Sequence, residues 1–198
     1  MSQLAENILS AARNLPEGGL LSPKGFLHLG SRAAIDKTMS RLVQAGKLIR
    51  VSRGAYVTPH QGRFGLRAPS TESVVRSLEV NYGETVVANG AADANALGLT
   101  TQVPTREVFF TSGRSRKLQL GKRSVELKHV GRWQLLLGKR PAGMAIRALS
   151  WLGPQAAPTA LRQLRATLPK AEWEAMRSAR AMLPSWLARV VSEEPVHG

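Results

Sequence analysis

Residues 46–59 read GKLIRVSRGAYVTP: two short β-rich runs, Leu48 to Val51 and Ala55 to Val57, joined by a Ser52-Arg53-Gly54 turn. The pattern predicts a hairpin with a basic tip, carrying Arg50 on its first strand and Arg53 at the turn. Just upstream, Ile35, Met39, Leu42 and Val43 fall on one face of a helix that Ser31 caps and Gly46 closes. Ala33, Lys37, Ser40, Arg41 and Gln44 then point the other way. Ser22-Pro23 opens a shorter helix ended by Gly30. Before it, Leu4, Ile8, Leu9, Ala12 and Leu15 mark an amphipathic helix from about residue 3 to 15, stopped by Pro16-Glu17-Gly18-Gly19. The expected order is three helices and a two-stranded wing.

That order resembles a winged helix-turn-helix domain over about 60 residues. The resemblance implies that the third helix enters the major groove with its N-terminal residues near base edges, while the wing arginines meet phosphate or the minor groove. The candidate DNA-binding residues are therefore Ser31, Arg32, Lys37, Ser40 and Arg41 on the helix and Arg50 and Arg53 on the wing. A second reading makes the same module a protein-contact domain whose charges solvate an exposed face, since polar residues are expected opposite any core stripe. The coincidence of basic residues with groove-facing positions favours DNA. Tyr56 is read as packing on its sheet rather than touching phosphate.

Composition points the same way. The 198 residues hold 28 Lys and Arg against 13 Asp and Glu, a net charge of +15. Cut after Gly62 and Leu135, each third carries +5, so the excess belongs to the folded body and not to a tail. Lys and Arg displace counterions condensed on nucleic-acid phosphates, which makes a polyanion the expected partner; basicity serving only solubility is the bland alternative. The absence of Cys excludes disulfides, thiolate metal sites and Cys nucleophiles. No apolar run approaches a membrane span, and Glu6 stands where a signal peptide needs positive charge, so the expected location is the cytoplasm, with no membrane partner.

Beyond the wing, Gly- and Pro-rich residues 61–69 are read as a linker between a 1–60 DNA-binding domain and a second domain over 70–198. Arg63 and Arg67 on this arm either lie along phosphates or pack across a domain junction. A helix from Ser70 or Thr71 to Tyr82, a strand near residues 85–88 and an Ala-rich helix over 91–97 follow. Three short strands, over 107–111, 116–120 and 124–130, are expected to form a small sheet. Arg114, Arg116, Lys117, Lys122, Arg123 and Lys128 crowd around Glu126 and form a second candidate phosphate surface. Breaks at Gly153-Pro154, Pro169 and Pro184 divide the C-terminal third into four helices, bearing Trp151, Trp173 and Trp186 with Trp133 just before them. These aromatics serve either a helical core or a docking surface. The fold class is α+β: winged helix, small mixed α/β domain, helical C-terminal part.

The stretch ANGAADANALGLTTQVPTREVFFTSGRSRKLQLGKRSVELK, residues 88–128, is similar to the post-wing domain of AbiEi-like abortive-infection antitoxins, and with the wing the likeness covers about residues 3–130. What that resemblance implies is an antitoxin of a toxin-antitoxin system serving phage defence. It would repress its own operon from an operator, expected as an inverted repeat bound by two copies, and counter a nucleotidyltransferase-type toxin. The alternatives are a transcriptional regulator without a toxin, or an RNA-binding or toxin-docking protein using the basic hairpin.

No enzyme is expected, and no cofactor or metal. His28, His60, His129 and His197 show no ligand spacing, and the close carboxylates Glu172 with Glu174 and Glu193 with Glu194 lack a partner base. Gly121-Lys122 and Gly138-Lys139 sit outside any phosphate-loop frame, and Ser112 has no nucleophile-elbow pattern.

Overall fold

The structure is a computed structural model describing residues 2–63 and 65–193; His197 and Glu194 lie outside the described residues. It is a mixed α+β fold with small sheets, and the chain divides into two compact units. One holds residues 1–84 with 116–126, the other residues 85–115 with 127–198.

In the first unit, α1 (Gln3–Arg13) is capped by Ser2 and buries Ala5, Ile8 and Ala12. The segment Pro23–Leu29, expected as a short helix, is a 3-10 helix capped by Ser22. Seven residues containing Gly25 favour the tighter i to i+3 ladder, seen where the Gly25 N–H donates to the Ser22 carbonyl at 3.0 Å. Helix α2 (Arg32–Gln44) buries Ile35, Met39 and Leu42, as their spacing requires, with the Ser31 hydroxyl accepting from the Ala34 N–H at 3.3 Å. Strands β1 (Ile49–Ser52) and β2 (Ala55–Val57) pair antiparallel with a bulge between Arg50 and Ser52. Leu21 bridges Tyr56 from the other side, exchanging both backbone hydrogen bonds at 2.8 and 3.0 Å. Ile8, Ile35, Met39, Leu48 and Tyr56 thus share one buried cluster.

Within the expected linker the chain makes a second hairpin, β3 (His60–Gly62) and β4 (Gly65–Arg67). The reason lies 53 residues upstream: the Glu17 carboxylate accepts from the Ser70 N–H at 3.0 Å and faces Arg67 at 3.7 Å and His60 at 3.8 Å. Gly18, at φ +75°, lies so close to Ser73 and Val74 that a Cβ would overlap them. Helix α3 (Thr71–Tyr82), capped by Ser70 and ended by Gly83, is thereby held in the first unit. The compact unit consequently runs past the boundary expected at residues 61–69, because these contacts leave no mark in local composition.

Strands β5 (Val86–Ala88) and β6 (Glu107–Thr111) pair antiparallel in the second unit, β7 (Arg116–Leu120) lies in the first, and β8 (Arg123–His129) runs from the first into the second. Strand β7 lies against β1 within the first unit.

In the second unit, α4 (Gly90–Ala96), capped by Asn89, packs on α5 (Pro141–Thr167). A side chain at Gly90 would strike the Arg147 carbonyl and the Trp151 Cβ, so only glycine permits this approach. Helix α5 is kinked at Gly153, φ +79°, where the sequence predicts a break. With α6 (Lys170–Ser178) and α7 (Ser185–Ser192) it encloses an apolar core against which Trp133, Trp173 and Trp186 pack half-buried; Trp151 remains 44% exposed. Inside the unit, Arg147 and Asp93 are buried together, Nε donating to Oδ2 at 2.6 Å, and Arg147 also donates to the Gly138 carbonyl at 2.9 Å and the Gln134 carbonyl at 3.4 Å.

Burial pushes the Asp93 carboxyl up to about 6 although Arg147 pulls it down. A folded pKa above the reference of 3.8 means that the pair's contribution to stability declines as pH rises from about 4 through about 6. Desolvation therefore outweighs attraction, yet stranding either charge is worse. Asp93→Ala and Arg147→Ala should each lower the unfolding free energy by about 3–5 kcal/mol, and the double variant by less than their sum, as read by urea denaturation. At the surface, Glu172 accepts from Arg140 at 2.8 Å and from the Ala142 N–H at 3.1 Å, which holds its carboxyl below the usual range. The cost of Glu172→Gln should accordingly be full at pH 7 and shrink as pH falls below the Glu reference of 4.5 in thermal melts.

Candidate nucleic-acid interface

The cluster of Ile35, Met39, Leu42, Leu48 and Tyr56 fixes what α2 and the β1–β2 hairpin present to solvent. On α2 the outward face carries Ala33, Lys37, Ser40, Arg41 and Gln44, all exposed. On the hairpin, Val51, Ala55 and Val57 are buried, whereas Arg50 and Arg53 are exposed. Gly54, at φ +73°, takes the left-handed position that the tight tip needs. Lys37, Ser40, Arg41, Arg50 and Arg53 make no side-chain hydrogen bond or ion pair with another described residue. Five sequence-predicted residues are thus free on the surface of one unit.

Two others are differently placed. The Ser31 hydroxyl accepts the α2 capping bond. Arg32, expected as an uncommitted cation, donates its Nε to Asp36 at 2.9 Å, both side chains about half exposed. The i,i+4 spacing makes such a pair almost automatic. Asp36 was not among the expected site residues, although that spacing already couples it to Arg32. It puts one negative charge on the flank of an otherwise basic helix face.

The second basic surface mixes engaged and exposed side chains. Arg116 pairs with Glu84 at 2.9 Å, and Arg123 donates to the Pro69 carbonyl at 3.1 Å. Arg114 is engaged as well. Lys117 and Lys122 are exposed in the first unit, and Lys128 is exposed in the second. Alternation explains the division on β7: Arg116 shares the inward parity of buried Leu118 and Leu120, while Lys117 points outward. On the β3–β4 hairpin, Arg67 is occupied by Glu17 and the Ala68 carbonyl, and Arg63 is also engaged. Of the histidines, His28 is exposed, His60 faces Glu17, and His129 Nδ1 contacts the Gly113 carbonyl at 2.8 Å.

Residues 7–175 match the model of a family described as DUF6088, a family of unknown function. The chain belongs to DUF6088. No curated protein matches this DUF6088 member. Among solved structures it is similar to the RV2827C protein from Mycobacterium tuberculosis, with 18% identity and a TM-score of 0.45 over 98% of this chain and 73% of that one. No helix among the described residues is long and apolar enough to cross a membrane.

The two kinds of basic residue should separate by stability. Arg116→Ala and Arg123→Ala should each lower the unfolding free energy by about 1 kcal/mol, whereas Lys37→Ala, Arg53→Ala and Lys117→Ala should change it by less than about 0.5 kcal/mol in denaturant titrations.

Proposed function

We propose that this DUF6088 protein is a duplex-DNA-binding regulator whose first unit acts as a winged helix-turn-helix. Helix α2 serves as the recognition helix and the β1–β2 hairpin as the wing. The observation that carries the reading is the set of uncommitted polar and cationic side chains, Lys37, Ser40, Arg41, Arg50 and Arg53, displayed by two elements anchored in one core. Unpaired surface cations release counterions on meeting phosphate and lose no internal bond in doing so. The net charge of +15 supplies the long-range attraction.

The resemblance to AbiEi-like antitoxins extends this to a non-enzymatic cytoplasmic antitoxin that represses its own operon, two copies on an inverted repeat, and counters a nucleotidyltransferase-type toxin. The alternative of an RNA-binding or toxin-docking role for the 114–128 hairpin is disfavoured by the engagement of Arg116 and Arg123 within the chain. A nucleotidyltransferase-like gene beside this one, whose toxicity co-expression relieves, supports the antitoxin assignment; a toxin that stays lethal overturns it.

Mobility shifts with DNA from upstream of the coding sequence and with random duplex, at several salt concentrations, test the regulator. Arg53→Ala should weaken both DNAs alike and lower the salt slope by about one, while Lys37→Ala should cost about 1–3 kcal/mol on the upstream DNA alone. Asp36→Asn should strengthen binding to random duplex, because it removes the carboxylate beside Arg32. Equal affinity of the unaltered protein for both DNAs at physiological salt overturns operator recognition.

A further inference from the structure

A cavity of about 370 Å³ opens in the second unit, where the start of α4, strands β6 and β8, and α5 meet. Its size falls within the range of small-molecule sites. Trp151 lines it and is 44% exposed, an unusual state for a Trp one turn beyond a fully buried stretch of α5. Its Cβ lies against Gly90, which pins the root of the side chain. Half-buried Phe110 lines the same cavity, so two aromatic side chains bound one space.

The polar groups are equally specific. Lys128, Gln134 and Ser150 also line the cavity, and none of their polar side-chain groups has a partner among the described residues. Arg147 also lines it, but its guanidinium is taken up by Asp93 and two backbone carbonyls. No carboxylate is among the lining residues. An aromatic wall, one uncommitted cation, a hydroxyl and an amide suit a planar ring that carries hydrogen-bonding edges and an anion. Stacking holds the ring whatever its identity, the amide and hydroxyl address its edge, and the ammonium takes the anion.

We propose that this cavity binds a nucleotide, with its base against Trp151 and Phe110 and its phosphate at Lys128. Two sources share that chemistry, a free mononucleotide and a nucleotide within a single strand.

Titration of the full chain with adenosine 5′-monophosphate, adenosine, inorganic phosphate and an oligoadenylate, followed by calorimetry or NMR, tests it. The monophosphate should bind more tightly than adenosine or phosphate alone. Trp151→Leu should weaken it by about tenfold and Trp151→Phe should retain it, as stacking requires. Lys128→Ala should reduce the monophosphate to the level of adenosine. An oligoadenylate that binds more tightly than the monophosphate identifies the strand as the source; a monophosphate that binds more tightly identifies the free nucleotide. Thermal melts establish folding, and should Trp151→Leu not fold, retention in Trp151→Phe with loss in Lys128→Ala carries the test. Failure of the monophosphate and the oligoadenylate to bind at millimolar concentration, or binding unchanged by Trp151→Leu and Lys128→Ala, overturns the proposal.

Discussion

One buried guanidinium organises the second unit. Arg147 reaches from α5 to Asp93 on α4 and to the carbonyls of Gln134 and Gly138, so three separate segments converge on one side chain. Several local features follow from it. Leu137 and Gly138 stand consecutively in the left-handed region, at φ 61° and 53°, and a leucine there costs on the order of 1 kcal/mol. The Arg147 bond to the Gly138 carbonyl helps hold that turn. Gly143 lets the turn approach α5, since a side chain there would meet the Leu136 and Gly138 carbonyls. Gly90 and the alanines of α4 then follow from the need to bring Asp93 within reach.

The excess of Arg and Lys thus serves two ends that composition cannot tell apart. Arg147, Arg116, Arg123, Arg67 and Arg140 spend their donors inside the fold, on carboxylates and carbonyls. Lys37, Arg41, Arg50, Arg53, Lys117 and Lys122 leave theirs to solvent. The planar fork of Arg satisfies several acceptors at once, which suits these five side chains to that role. Density of charge along the chain therefore does not separate the 114–128 hairpin, whose arginines are engaged, from α2, whose Lys37 and Arg41 are not.

Local chemistry was well marked in the sequence. Ser31 and Ser70 cap the helices they precede, β6 and β7 run over the expected residues, and Gly153 breaks α5 where Gly-Pro signals a break. These signals depend on a residue and its close neighbours. The features that escaped are those joining distant positions: the bridge of Leu21 to Tyr56, the grip of Glu17 on Ser70, and the pairing of Asp93 with Arg147. For the candidate interface, the spacing of Ile35, Met39 and Leu42 already placed Lys37, Ser40 and Arg41 outward. The pairing of Arg32 with Asp36 was open to the same reading, since the two stand four residues apart on one helix.

Strand β7 and the start of β8 belong to the compact unit formed otherwise by residues 1–84, although residues 85–115 intervene in the chain. During synthesis, the N-terminal helices emerge from the ribosome well before the strand that covers β1. That unit cannot reach its finished form until residue 126 has cleared the exit tunnel, by which time residues 85–115 of the second unit are already outside. The two units must mature in overlapping time, and a nascent chain stalled between them leaves β1 without the strand that packs against it.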